Sequence, residues 1–160
     1  MGKRLFVTSR RGWRGLGVVA ALLGIVFTAS ALVLLRERPV RIDPGDPNQV
    51  ALGKRLYATA CASCHGVSLE GQPDWQRRLP SGRLPAPPHD ASGHTWHHPD
   101  DYLVRVTQLG PAAYPDGYQT DMPGFHDALT VGEIAAILAY IKSTWPADIR
   151  ARQNRLNVTR

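Results

Sequence analysis

Apolar and polar positions along this chain form four readable blocks, separated by stretches with no period. The first is a run of twenty residues without a charge, Leu16 to Leu35. A helix of that length spans about 30 Å, the hydrocarbon thickness of a bilayer. Gly17, Gly24 and Thr28 inside it are compatible with a membrane helix, because lipid forces backbone bonding inward. The second block opens on Asp46, a good N-cap, with Pro47 at the first helical position; Val50, Gly53, Leu56, Tyr57 and Ala60 follow at helical spacing. The third predicts a helix over Pro99–Leu109, with Tyr102, Leu103, Val106 and Leu109 on one face and Gly110–Pro111 as its stop. The fourth is the clearest. Thr130 and Glu133 form a capping box, Ile134, Ile137, Leu138, Ile141 and Trp145 make an apolar stripe, and Pro146 ends it.

No stretch alternates as a strand does, so the expected fold class is all-α: at least three short helices with long loops, preceded by one transmembrane helix. The organisation reads as a basic cytoplasmic N-terminus (1–15), a transmembrane anchor (16–35), a Pro- and charge-rich linker (36–48), a folded domain (49–146) and a basic C-terminal tail (147–160). Gly71 to Pro99 is crowded with Pro, Gly and His and reads as loop. Three short helices around so long a loop bury little apolar surface, and a large apolar cofactor at the centre of the core would account for that.

Charge refines this picture. The chain's net charge of +6 comes from the first 41 residues, where eight Lys/Arg face only Glu37; from residue 42 onward eleven basic residues meet twelve acidic ones, a slight acidic excess. Basic residues flanking an apolar run point to a membrane and away from a nucleic-acid partner. Five of them precede the run, which keeps the N-terminus cytoplasmic and places the remainder outside the cytoplasm. The competing reading is a cleaved signal peptide, since Ala29–Ala31 resembles a cleavage site; the apolar run continues past it through Leu35, which favours a retained anchor.

The only two cysteines stand in "CASCHG", Cys61 and Cys64, with His65 directly behind. That spacing suits a redox dithiol, half of a zinc site, or covalent haem attachment. A dithiol of the thioredoxin kind expects a βαβ context that is missing, and a zinc site needs two further ligands, which downstream histidines could supply. Haem explains more: two thiols one turn apart can add to the two vinyl groups, leaving His65 beneath the iron as proximal ligand. Met122, the only methionine besides Met1, sits in "DMPGF", where Pro and Gly keep the backbone irregular, and is the candidate sixth ligand. Thioether ligation raises the potential of haem iron, which suits electron transfer.

On these residues the sequence resembles a class I c-type cytochrome of the bacterial membrane-anchored kind, over about Asn48 to Trp145. The family's N-terminal helix carries a Gly and an aromatic, matched by Gly53 and Tyr57. Its C-terminal helix carries an aromatic, matched by Tyr140, and its distal Met precedes Pro, as Met122 precedes Pro123. The resemblance implies one covalent haem c, attached through Cys61 and Cys64 and ligated by His65 and Met122. It implies an electron carrier that is not an enzyme and has no small-molecule substrate. Such a carrier lies on the periplasmic side of the inner membrane and serves redox partner proteins of a respiratory or photosynthetic chain. A haem subunit permanently bound in a larger oxidase or dehydrogenase has the same chemistry. The family's proline that accepts the proximal imidazole N–H has five candidates here, Pro73, Pro80, Pro85, Pro87 and Pro88, with the "LPAPP" run favoured. "HDASGHTWHHP", with His89, His94, His97 and His98, reads first as a haem-edge loop; a second metal site, a haem or metal sensor, or a His in place of Met122 are its other readings.

Overall fold

Asp46 begins the first helix, as its chemistry predicts. In the computed structural model, which describes residues 41–158, its carboxylate accepts from the N–H groups of Asn48 (2.9 Å) and Gln49 (3.4 Å), capping helix α1 (Pro47–Ala60). One further turn, α2 (Ala62–His65), follows directly. After a long loop holding a 3-10 turn at Thr95–His97, helix α3 (Asp100–Leu109) starts behind Pro99 and stops at Gly110. Helix α4 (Val131–Ser143) opens on the expected reciprocal cap: Glu133 N–H donates to Thr130 Oγ1 (3.3 Å) and Thr130 N–H to the Glu133 carboxylate (2.8 Å). Helix α5 (Ala147–Val158) closes the described residues, which contain five α-helices and no strand. The anchor expected at 16–35 lies outside the described residues, and among those described no helix is long and apolar enough to cross a membrane.

The core is the crossing of α1 on α4. Tyr57, Leu69, Leu103, Ile134, Ile137, Leu138, Ile141 and Trp145 form one buried cluster. Gly53 sits where the two backbones meet: a Cβ there would overlap the Ala136 carbonyl, so only glycine permits this approach. Tyr57 packs its ring 5.5 Å from that of Tyr140 and donates its hydroxyl to the Gly66 carbonyl (2.9 Å). Trp145 lies just beyond α4, yet it is buried with the stripe as expected and donates Nε1–H to the His89 carbonyl (2.8 Å).

Within the stretch 147–160 that the sequence reads as a basic tail, residues 147–158 form α5, which docks on the domain. Its contacts are polar. Asp100, at the start of α3, accepts both Lys142 Nζ bonds (2.8 and 2.9 Å), one from Gln153 Nε2 (2.7 Å) and one from Asn157 Nδ2 (3.0 Å). Gln153 is fully buried and also donates to the His98 carbonyl (3.1 Å). Arg152 covers the Trp96 ring at 4.9 Å. A helix held by amide and charge shows no apolar stripe, which is why periodicity does not reveal it.

Candidate functional site

The junction of α1 and α2 brings three of the predicted site residues together. Cys61, Cys64 and His65 stand at i, i+3 and i+4, neighbours on a helical surface, and the N–H groups of Cys64 (3.1 Å) and His65 (2.9 Å) both donate to the Cys61 carbonyl. The two thiols are free of any disulfide; Cys61 is half-buried and Cys64 exposed. Burial, and then the neighbouring Cys64, pushes the Cys61 thiol up to about 11, so it stays protonated at neutral pH.

The imidazole of His65 is buried, and its Nδ1 lies 2.8 Å from the Pro87 carbonyl. A carbonyl can only accept, so Nδ1 carries the proton and Nε2 keeps its lone pair. Burial pulls the pKa of His65 below its ordinary value, with the Pro87 bond working against that shift, so the ring is neutral at pH 7. The structure thus selects Pro87 from the five candidate prolines. Gly71 makes this return possible: its N–H donates to the His65 carbonyl (2.8 Å), and a Cβ there would overlap the Pro87–Pro88 backbone.

Met122 belongs to a separate segment. It is half-buried in the irregular stretch after Ala113, and its N–H donates to Thr120 Oγ1 (3.1 Å). That stretch is tied to α3 by bonds from Phe125 N–H to Thr107 O (3.0 Å) and from His126 N–H to Gln108 O (3.1 Å). Arg83 and Asp121 pair across at 2.9 Å. No hydrogen bond or ring contact among the described residues joins Met122 to His65, Cys61 or Cys64.

The histidine loop divides in two. His94 stacks on Trp75 (5.3 Å), His97 on Trp96 (3.8 Å) and His98 on Tyr102 (4.5 Å), so these imidazoles pack against aromatic rings. Among the described residues no three His, Cys, Asp or Glu side chains gather closely enough to hold a metal ion, which leaves the zinc and second-metal readings without a site there. His126, four residues after Met122, has Nδ1 on the Gln108 carbonyl (3.2 Å) and Nε2 beside Asp127 (3.1 Å). His89 differs from the rest of the loop. Its ring stacks on His65 at 4.0 Å and 21°, and its Nδ1 lies 2.8 Å from Thr95 Oγ1. Burial, and then the nearby His65, pulls its pKa well below the ordinary value, so two neutral rings face each other. Sequence reasoning grouped His89 with the loop and passed over Thr95; the available signal was that His89 lies two residues past Pro87.

A family model for cytochrome c matches residues 50–145, well over half of the chain. The chain belongs to the cytochrome c family. No curated protein and no solved structure matches it significantly. This cytochrome domain carries covalently bound haem c and serves electron transfer, and the spacing of Cys61 and Cys64 fits the family's attachment motif. The residues present suit that group: two unpaired thiols one turn apart, and beside them a neutral imidazole whose tautomer leaves Nε2 without a hydrogen bond.

Proposed function

We propose that this protein is a membrane-anchored electron carrier. Cys61 and Cys64 hold the haem by two thioether bonds, and His65 and Met122 ligate its iron. Bound there, the haem supplies a one-electron ferric/ferrous couple. The observation that carries the assignment is the Nδ1 bond from His65 to Pro87, which leaves Nε2 unprotonated on the residue directly after Cys64 in the attachment turn. Two axial side chains leave no position for a substrate, hence a carrier and not an enzyme. The Met122 assignment rests on its sequence context and on the clamps at Thr107 and Gln108 that hold its segment against α3. The anchor rests on the uncharged run Leu16–Leu35 behind five basic residues, which would keep the haem domain on the periplasmic face, close to redox partners in the same membrane.

An optical spectrum with redox titration of the haem-containing protein tests the ligand pair. The wild type should show the weak near-infrared-side band of Met-ligated ferric haem. Met122→Ala should lose that band and lower the potential, with the haem still covalently attached. Retention of the band in the variant would place the sixth ligand elsewhere.

A further inference from the structure

We propose that His89, anchored by Thr95, is a positioning residue that fixes the ring plane of His65. The inference rests on the reading above of His65 as iron ligand. Beyond its own Cβ, the His65 ring is held by the single Nδ1 bond to Pro87, and it can still rock about Cβ–Cγ within the range that bond tolerates. A second flat surface removes this freedom. The His89 ring lies nearly parallel to that of His65, 4.0 Å between centroids and 21° between planes, so a swing of one ring drives it into the other.

His89 is itself fixed on every side. Its N–H donates to the Leu69 carbonyl (2.8 Å), its own carbonyl accepts Trp145 Nε1–H (2.8 Å), and its ring edge meets Tyr57 at 6.2 Å. Thr95 is buried, and its Oγ1 holds His89 Nδ1 at 2.8 Å; a hydroxyl can donate or accept, so the bond suits either tautomer of the ring. Leu69 reinforces the arrangement. It is a buried non-glycine residue at φ 70°, a costly conformation, and in it one carbonyl serves the N–H groups of both His89 (2.8 Å) and Asp90 (3.3 Å). The plane of an axial imidazole sets the direction of its π overlap with a metal, so the stack would govern how unpaired spin spreads over the ferric haem.

The test uses the haem-containing protein and its proton NMR spectrum in the ferric state, where the haem-methyl resonances report spin distribution. His89→Leu should shift and reorder these resonances while the Met-ligation band persists. Thr95→Val should move them in the same direction by less, and Thr95→Ser, which keeps the hydroxyl, should restore the wild-type pattern. A wild-type pattern in His89→Leu or in Thr95→Val overturns the proposal. If His89→Leu acquires no haem, Thr95→Val decides alone. A wild type without a histidine ligand would overturn the ligand assignment itself, a result read from its optical spectrum and separable from the methyl pattern.

Discussion

Helix α4 is gripped by opposite chemistries on two of its faces. Toward α1 it offers backbone and apolar side chains, brought into contact because Gly53 lacks a Cβ. Toward α3 and α5 it offers Lys142, whose side chain is 2% exposed and whose ammonium is bound by both oxygens of Asp100. The first contact depends on shape and tolerates no added volume. The second depends on a charge being answered, and what it cannot tolerate is the loss of one partner. The apolar crossing is therefore vulnerable to added volume, whereas the polar clasp is vulnerable to an unpaired buried charge.

Breaking the clasp from one side should have the largest effect. Asp100→Ala leaves the Lys142 ammonium buried without its carboxylate and removes an acceptor from Gln153 and Asn157; urea unfolding of the haem-containing protein should show a loss of about 3–5 kcal/mol. A loss under about 1 kcal/mol would mean that the pair behaves like an exposed one. Adding volume to the crossing comes next. Gly53→Ala should cost about 1–3 kcal/mol in the same assay while leaving the haem spectrum in place, since the methyl strikes the Ala136 carbonyl and not the haem-attachment turn. An unchanged midpoint would show that α1 and α4 can part at no cost.

The smallest effect concerns pH and lies beside the clasp. His94 and His98 are held below the ordinary value of 6.5, first by burial and then by neighbouring imidazoles. The unfolded chain therefore binds more protons as pH falls below about 6.5, so their contribution is complete above that point and is lost toward acid. Melting temperature should drop between about pH 7 and pH 5.5, and the slope should be shallower in His98→Phe, which keeps a ring against Tyr102. An equal slope in the variant would show that His98 does not titrate with folding.

The two regions also differ in how far the sequence reveals them. The apolar crossing is legible: Asp46 and Pro47 mark the start of α1, Thr130 and Glu133 mark α4, and Gly53, Tyr57 and Tyr140 all stand at the contact. The clasp is not, because Lys142, Asp100 and Gln153 carry no periodic signal and lie up to 53 positions apart. Residues of α5 consequently read as a solvated basic tail. In the site, the motif itself announces Cys61, Cys64 and His65, while the choice of Pro87 depends on the path of the loop around Gly71. The role of His89 depends on a stack that no spacing rule encodes.

The α1–α4 crossing also dictates an order of events as the chain is made. Gly53 meets Ala136, a residue synthesised about half a chain later. A lone helix of 14 residues is marginal in water, so until α4 arrives α1 has no surface to lie on and the turn that follows it is not yet locked. Throughout that interval the turn that bears Cys61 and Cys64 has no folded core behind it. The arrival of α4 closes the interval. Helix α5 lies later still in the chain, and its Asn157, 57 positions beyond Asp100, must be present before it can bond there. The distance along the chain between partners thus means that neither the crossing nor the clasp can form from a partial chain.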